Sequence, residues 1–271
     1  MNPLFHECYE VPTKNLLGFY YPGRHTPIDS ICGANFLGNF WQSSMVADAV
    51  PFKCAEAAYQ ASKYPLEIRS QFSNCDGSEA FRLSRNIKCR MYTPQEAWIN
   101  MMYVLEQKFQ NYDLATRLLD TGDAFLLEHN SVVGRDTRWS NNGDGTGSNW
   151  LGLQLMIVRD SIRESRLRRH SIVMEPLPWS MWVSKHLDPD TGIFFYGMET
   201  VWQQMVADAT QTVLTEIDSM HRVRLNPRTE ILGSTAVATC KFAHCMRPRR
   251  HPYQFCSKTC ADTHYSYRKN A

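Results

Sequence analysis

The sequence predicts a mainly α-helical fold with short β segments. Residues 93–96 form a capping box that places Pro94 at the first helical position, and apolar residues follow at three-to-four spacing. Two longer stretches, about 149–163 and 198–220, repeat apolar residues along one side in the same way. These three patterns are separated by short segments marked by aromatic residues and glycine, so helices are expected to be the main elements.

The weaker elements fill the gaps between these helices. Residues 18–21 are predicted to be extended because aromatic residues cluster between glycine and proline. Residues 56–63 are predicted to be helical because they contain three alanines. Asp113 is expected to cap a short helix that Gly122 ends, and residues 143–147 form a glycine-rich loop.

Composition is typical of a globular protein. Of the 271 residues 43% are apolar and 21% charged, which excludes collagen-like, coiled-coil and wholly disordered classes. The sequence contains no run of about 18 apolar residues, so no membrane span is expected, and its start lacks the apolar core of a secretory signal. Nine cysteines, an odd count, then indicate reduced thiols in the cytoplasm, with the nucleus as the alternative.

Three regions are predicted along the chain: a first domain over 15–165, a hairpin-plus-helix segment over 175–220, and a cysteine-rich tail over 236–271. From residue 221 onward ten Lys and Arg stand against two acidic residues, a net charge of +8, which leaves −6 for residues 1–220 of a chain with net charge +2. A basic end on a mildly acidic body favours a separate module that contacts nucleic acid or protein. A merely basic extension is the alternative.

Four polar residues share one face of the helix predicted over 56–63. Tyr59 and Gln60 follow Glu56 by three and four positions, and Lys63 extends the same face. A carboxylate beside a phenol, an amide and a lysine can line a pocket. The alternative is an ordinary solvated helix face.

A second polar cluster runs from Asp136 through Trp139 to the glycine-rich loop and Asn149. Backbone N–H groups at the start of the following helix suit a phosphate, although neither a Walker loop nor the dinucleotide-binding fingerprint is present. A long turn is the alternative. Together the two clusters supply two carboxylates, Glu56 and Asp136, as hydrolysis of an N-ribosyl bond requires. One stabilises the positive charge at ribose C1 and activates water, the other protonates the leaving nitrogen, and no metal or cofactor is needed.

The region from Gly18 to Arg163 resembles the NADAR domain family, which includes bacterial riboflavin-biosynthesis-intermediate N-glycosidases. The order of several modest motifs carries the resemblance. They are Phe19-Tyr20, Phe36–Phe40, Pro51–Lys63, Lys108-Phe109, Leu119–Asp123, Leu127-Glu128 and Asp136–Arg159.

The resemblance implies a mainly α-helical fold and hydrolysis of a C–N bond at a ribose carbon. It implies either an ADP-ribosyl group on an acceptor such as guanine, or a ribosylamino-pyrimidine phosphate, as the substrate. Glu56 is then the nucleophile or base, and Asp136 has an acid–base or ribose-binding role. The residues expected to contact the substrate are Tyr20, Tyr59, Lys63, Trp98, Trp139 and Asn149.

Two departures from the family pattern support rival hypotheses. Trp139 is followed by Ser140 where the family has glycine. The Asp-Trp pair that the family has before its long helix is absent, so Tyr92 or Trp98 must take the place of its tryptophan. A site altered in this way would hold ADP-ribose or a nucleotide without cleaving it. The second rival is a scaffold that works through its C-terminal parts.

The segment from residue 177 to Trp202 loosely resembles a WW module, a three-stranded sheet that binds proline-rich peptides. Trp182 and Trp202 stand where the module has its two tryptophans, and residues 190–192 are a hairpin turn signal. A hairpin packed on the first domain is the alternative.

Four cysteines in the tail have the spacing C-x4-C-x10-C-x3-C, which suits tetrahedral coordination of a structural zinc ion. A tail with few aromatic residues cannot form a core unaided, and a bound metal then stabilises folding. Free thiols in a basic tail are the alternative. The predicted ligands are Cys240, Cys245, Cys256 and Cys260.

Overall fold

Helices dominate the computed structural model, which describes residues 15–19, 34–88, 92–168, 178–188 and 190–225. The prediction of a mainly α-helical fold with short strands is confirmed for these residues. The elements are β1 (Leu16–Phe19), β2 (Gln42–Ala47), β3 (Val50–Cys54), α1 (Ala55–Ser62), α2 (Leu66–Arg69), α3 (Gly77–Asn86), α4 (Pro94–Lys108), α5 (Tyr112–Leu119), β4 (Phe125–Glu128), α6 (Trp150–Arg168), α7 (Trp179–His186), β5 (Leu187–Asp188), β6 (Ile193–Phe194) and α8 (Met198–Leu225).

The described strands form three two-stranded sheets. β2 and β3 are an antiparallel hairpin that leads directly into α1. β1 pairs with β4 in parallel, with Phe19 opposite Glu128. The three residues of β4 before Glu128 are apolar and buried. The parallel pair therefore fixes the end of β4 in the protein interior, where a carboxyl group follows three core residues.

Helix α1 is buried along almost its whole length. Its alanines at 55, 57, 58 and 61 are each at most 3% exposed, and their small size lets the helix lie inside the core. The polar side chains of α1 are consequently buried with it rather than spread over a solvated face. The burial of these side chains therefore favours a pocket lining over a solvated helix face.

Helix α4 begins with the predicted capping box. The Glu96 backbone N–H donates to Thr93 Oγ1 over 3.1 Å, and the Thr93 N–H donates to Glu96 Oε2 over 2.9 Å. Trp98, Met101 and Leu105 form the predicted buried stripe. Because this stripe packs in the core, α4 is a fixed support beside α1.

The segment after α6 packs on the first unit. The core cluster that contains α1 and β4 also contains Trp179, Trp182 and Trp202, and the Trp202 ring lies 5.3 Å from that of Phe125. The described parts of the two regions predicted over 15–165 and 175–220 therefore share one hydrophobic core.

The prediction of a WW module is wrong for the described residues. Trp182 lies in helix α7, because Trp179, Trp182 and Val183 follow Pro178 at helical spacing and are all buried. A hairpin of two residues per strand, β5–β6, and the helix α8 follow. A short hairpin and a helix therefore stand where the three-stranded sheet of a WW module was predicted.

Several predicted residues lie outside the described ranges. They are Tyr20, the four cysteines Cys240, Cys245, Cys256 and Cys260, and the rest of the tail predicted over 236–271. None of the helices in the described ranges is long and apolar enough to cross a membrane.

Candidate active site

A cleft of about 720 Å³ opens beside α1, between α3 and the loop that follows β4. Its walls carry carboxyl groups, aromatic rings and arginines. The lining residues include Asn39, Phe40, Glu56, Tyr59, Gln60, Lys63, Phe81, Arg82, Arg85, Tyr92, Met101, Glu128, Asn130, Arg135, Asp136, Arg138, Trp139 and Ser140.

Glu56 is buried in the first turn of α1 and is held by a chain of hydrogen bonds. Gln60 Nε2 donates to Glu56 Oε1 over 2.7 Å, and Lys63 Nζ donates to Gln60 Oε1, also over 2.7 Å. The Glu56 backbone N–H donates to the Asn39 carbonyl over 2.9 Å. Burial raises the pKa of the Glu56 carboxyl, and Asp136 raises it further, while Gln60 and Lys63 lower it. The chain thus favours the charged carboxylate inside a water-poor site.

Glu128 ends β4 on the cleft wall. Its backbone N–H donates to Asn149 Oδ1 over 2.9 Å, and its carbonyl accepts the Asn141 N–H over 2.9 Å. Its side-chain Oε2 is buried and has no hydrogen-bond partner among the described residues. Burial raises the pKa of the Glu128 carboxyl well above its ordinary value, and the charges of Asp136 and Glu56 raise it further.

Asp136 is half-buried in the loop after β4 and shapes that loop. Its Oδ1 accepts the backbone N–H groups of Arg138 over 3.0 Å and Trp139 over 2.9 Å. Its charge contributes to the raised pKa of both Glu56 and Glu128. The structure therefore brings three carboxyl groups to one cleft, the two predicted ones and Glu128.

Aromatic rings form one wall of the cleft. The Tyr59 ring meets Trp139 edge-on at 5.3 Å and Tyr92 at 6.3 Å. Lys63 Nζ lies 4.8 Å from the centre of the Tyr59 ring. Burial raises the pKa of Tyr59, so it is a neutral phenol at neutral pH. Such a wall suits stacking of a flat base or packing against a sugar.

Tyr92 and Ser140 stand at the two places where the sequence departs from the family pattern. Tyr92, rather than Trp98, is the aromatic residue that lines the cleft before α4. The Ser140 hydroxyl donates to the Asp136 carbonyl over 2.8 Å and accepts the Asn142 N–H over 3.0 Å. Ser140 therefore adds hydrogen bonds to the loop that positions Asp136 and Trp139.

Four arginines line the cleft. Arg82 and Arg85 extend from α3, and Arg135 and Arg138 come from the loop after β4. The Arg85 guanidinium lies 4.4 Å from the ring of Phe81, which is 41% exposed. Guanidinium groups recognise phosphate and carboxylate, so this arrangement favours an anionic ligand.

Two of the predicted substrate contacts are wrong. Trp98 is 0% exposed and packs edge-on against Trp150 at 5.2 Å, because it belongs to the buried stripe of α4. Asn149 is also 0% exposed, and both polar atoms of its side-chain amide are hydrogen-bonded to the backbone of β4. Asn149 Nδ2 donates to the Leu126 carbonyl over 2.9 Å, and Oδ1 accepts the Glu128 N–H. Of the other predicted contacts, Tyr59, Lys63 and Trp139 do line the cleft.

The glycine-rich loop does not line the cleft, so the predicted phosphate cradle is also wrong. Gln203 Nε2 of α8 donates to the Gly145 carbonyl over 2.5 Å, and Trp202 Nε1 donates to the Ser148 carbonyl over 2.8 Å. A Cβ on Gly145, at φ +88°, would lie 2.9 Å from the Cα of Ala207. The loop is therefore packed against α8, and Gly145 permits that close approach.

Two residues of the site have a buried oxygen without a partner among the described residues. Both lie in motifs that carry the family resemblance, but no role was predicted for them from the sequence. Glu128 ends a strand that is otherwise apolar, and a carboxyl group in that position was the available signal. Asn39 stands in a short apolar stretch, and its Oδ1 is buried without a hydrogen-bond partner among the described residues. Within the described ranges no group of three His, Cys, Asp or Glu side chains could hold a metal ion.

The region that holds the cleft is similar in sequence to known proteins. The family model of the NADAR domain matches residues 26–163, just over half of the chain. A riboflavin biosynthesis protein of Vibrio vulnificus (strain YJ016) is 32% identical over an alignment of 169 residues, and the match covers 58% of this chain. The match spans 42% of that protein's length, so this chain corresponds to less than half of it.

Among solved structures, the NMR structure of the Escherichia coli protein YbiA is similar to this chain. The two are 22% identical, and the match covers 59% of this chain and 94% of YbiA with a TM-score of 0.46.

Proposed function

The chain belongs to the NADAR domain family, and on that premise we propose that it is an N-glycosidase that hydrolyses the C–N bond at C1 of a ribose. The observation that carries the proposal is the buried Glu56 carboxyl, which the Gln60–Lys63 chain holds at a cleft with an aromatic wall and four arginines. Glu56 has no salt-bridge partner among the residues that the structure describes, and a buried, hydrogen-bonded carboxylate of this kind is suited to a cationic transition state.

The chemistry follows from the charge that develops at the ribose. As the C1–N bond lengthens, C1 and the ring oxygen become positive, and the Glu56 carboxylate stabilises that charge from a site where water screens it little. Glu56 then takes a proton from the attacking water or forms a transient bond with C1. Gln60 fixes the direction of the carboxylate, so the group needs no rearrangement during the reaction. Asp136 is proposed to bind the ribose or to exchange protons with the substrate.

The substrate class is a phosphorylated N-riboside. The arginines of α3 and of the loop after β4 favour phosphate, and the rings of Tyr59, Tyr92 and Trp139 favour a base and sugar. Both an ADP-ribosyl group linked to guanine and a ribosylamino-pyrimidine phosphate have this chemistry. The name of the similar Vibrio vulnificus protein supports the pyrimidine phosphate.

The proposal is tested by incubating the full chain separately with ADP-ribosylated guanine in DNA and with ribosylamino-pyrimidine phosphate. Free base and reducing sugar are then measured. We expect release from at least one substrate, with loss of that release in Glu56→Gln. The control is Glu67→Gln, since Glu67 is exposed on α2. Tight binding of a substrate without release of products would show that the chain is a nucleotide-binding module, the rival hypothesis, and not an enzyme.

The cysteine-rich tail remains a separate proposal, a structural zinc module that contacts nucleic acid or protein. Its support is the spacing of Cys240, Cys245, Cys256 and Cys260 together with the positive charge of the tail. Elemental analysis should give one zinc ion per chain for the wild type and for Cys75→Ala, whose thiol is free and half-buried. Equal, trace zinc in the wild type and in Cys245→Ala would leave only a basic extension.

A further inference from the structure

The carboxyl group of Glu128 is held in a fixed place at the cleft. Both backbone polar atoms of the residue are hydrogen-bonded, the N–H to Asn149 Oδ1 and the carbonyl to the Asn141 N–H. β4 itself is fixed by its parallel pairing with β1 and by Asn149 Nδ2, which donates to the Leu126 carbonyl. The side chain therefore begins from a rigid base and lines the cleft wall.

One oxygen of this carboxyl group has an unmet hydrogen-bonding capacity. Glu128 Oε2 is buried and has no hydrogen-bond partner among the described residues. A buried polar atom without a partner is rare in folded proteins and requires an explanation. Since Glu128 lines the cleft, a bound ligand can supply the missing partner.

The groups around Glu128 favour its protonated form. Glu56 on α1 and Asp136 in the following loop both place negative charge near it. The positive charge of Lys108 on α4 counteracts them, but Lys108 is itself buried, and burial lowers the pKa of that amine to about 7. Lys108 Nζ is moreover engaged by the carbonyls of Leu37 and Gly38, at 3.1 and 2.9 Å.

Glu56 differs from Glu128 in its neighbours. Burial and the charge of Asp136 raise the pKa of Glu56 as well, but Gln60 donates a hydrogen bond to its carboxylate and Lys63 adds positive charge, and both act against that rise. Of the two carboxyl groups, Glu128 is therefore held more strongly in the protonated form. Such a difference is how enzymes assign an acid and a base to a pair of carboxyl groups.

We propose that Glu128 is the proton donor of the reaction, an inference that rests on the proposed N-glycosidase function. The C1–N bond breaks, its electron pair moves to nitrogen, and the Glu128 O–H proton passes to that nitrogen. Water adds its oxygen to C1 and gives its proton to the Glu56 carboxylate. The base leaves neutral, and one net proton is returned from Glu56 to Glu128 through solvent before the next cycle.

Asp136 is less suited to this role. Its Oδ1 already accepts two backbone N–H groups, from Arg138 and Trp139, which marks the group as a hydrogen-bond acceptor that shapes the loop. Both residues are half-buried, but one carboxyl oxygen of Glu128, Oε2, is fully covered.

The experiment compares two kinds of leaving group in the full chain. A ribosylamino-pyrimidine phosphate releases an amine that must be protonated, while nicotinamide mononucleotide releases neutral nicotinamide and needs no proton. Glu128→Gln should slow release of the amine by about a hundred- to ten-thousand-fold and leave release of nicotinamide within about threefold of wild type. Glu56→Gln should slow both, and Glu67→Gln neither. If the wild type cleaves the amine substrate alone, the loss of activity at alkaline pH should be present in wild type and absent from the residual activity of Glu128→Gln.

A second measurement does not depend on turnover. The infrared difference spectrum of wild type minus Glu128→Gln at neutral pH should contain the C=O band of a protonated carboxylic acid. An absent band, or equal slowing of both substrates in Glu128→Gln, overturns the proposal. If the wild type cleaves neither substrate nor the ADP-ribosylated one, the proposed function itself fails and the donor role fails with it, whatever the infrared band shows.

Discussion

Two buried polar clusters lie near the end of β4, and they differ in whether their hydrogen bonds are complete. In the first, Asn141 Oδ1 accepts the N–H groups of Asn130 and Gly143, and its Nδ2 lies 2.9 Å from Thr210 Oγ1. In the second, on the cleft wall, Glu128 Oε2 and Asn39 Oδ1 have no partner among the described residues. The Asn141 cluster builds the loop after β4, whereas the groups on the cleft wall are left available for a ligand.

Whether a buried polar atom has a hydrogen-bond partner distinguishes structural from functional polar residues. Residue type alone does not make this distinction. A satisfied buried hydrogen bond stabilises a fold by about 0.5–1.5 kcal/mol, and an unsatisfied buried group costs about 1–3 kcal/mol. Substitutions in the Asn141 cluster should therefore lower the free energy of unfolding. Substitutions in the cleft should lower activity while preserving or increasing stability.

The largest expected effect is that of Glu56→Gln on turnover. The amide keeps the shape of the side chain but cannot stabilise positive charge at the ribose, so the rate should fall by about a hundredfold or more. Substrate affinity, measured by calorimetry on the variant, should change little. A rate within a few-fold of wild type would mean that Glu56 is only part of a buried polar network.

Asn149→Ala should have the next largest effect, on stability. The change removes two buried hydrogen bonds and leaves the Glu128 N–H and the Leu126 carbonyl unpaired. We expect a loss of about 2–5 kcal/mol in urea unfolding, compared with little change in Asn86→Ala, since Asn86 is exposed. Weaker substrate binding at unchanged stability would instead restore the original prediction that Asn149 contacts the substrate.

Glu128→Gln should change how stability depends on pH. The carboxyl of the unfolded chain loses its proton near the ordinary value of 4.5, while the folded protein retains it to a higher pH. Glu128 therefore does not lower the free energy of unfolding of the wild type below pH 4.5. As the pH rises above that value, the free energy of unfolding falls by at most about 1.4 kcal/mol per pH unit. The variant lacks this loss and should become progressively more stable than wild type between pH 4.5 and neutrality.

The corresponding control is Glu67→Gln, which alters a carboxyl group that is exposed on α2. Melting temperatures of the three proteins across that range provide the measurement. A constant difference between wild type and Glu128→Gln would show that Glu128 has an ordinary pKa in the folded protein.

The smallest expected effect concerns the contact between α8 and the glycine-rich loop. Gln203 donates to the carbonyls of Gly145 and Gly147, at 2.5 and 3.3 Å, whereas its exposed neighbour Gln204 donates to Asp208 on the same helix. Gln203→Ala should destabilise by about 1 kcal/mol, and Gln204→Ala by less. Equal effects in thermal unfolding would argue that Gln203 does not stabilise the loop.

Local sequence signals predicted the helices well because those signals act within a few residues. The capping box at Thr93 and the end of α5 before Gly122, whose φ is +65°, were both predictable. Asp113 was predicted to cap α5, but Asn111 does so by accepting the Leu114 N–H over 3.1 Å. Both residues are good caps, and only the geometry of the preceding turn decides between them.

The site was predictable where its residues share one helix, and unpredictable where they meet through space. Glu56, Gln60 and Lys63 are neighbours on α1 because of helical periodicity. Trp98 and Asn149 were misassigned because residue type does not reveal whether a side chain points to a core or to a cleft. Glu128 was missed because its position at the cleft depends on the pairing of β4 with β1. That strand lies more than a hundred residues away along the chain.

The most direct test of the central claim, that this cleft hydrolyses an N-ribosyl bond, is turnover in ¹⁸O-labelled water. The wild type should release unlabelled base together with a sugar phosphate that carries one ¹⁸O atom at C1. Glu56→Gln should bind the same substrate and release neither product at a comparable rate. Binding of the substrate by the wild type without any labelled sugar, or equal labelling by wild type and Glu56→Gln, would contradict the account.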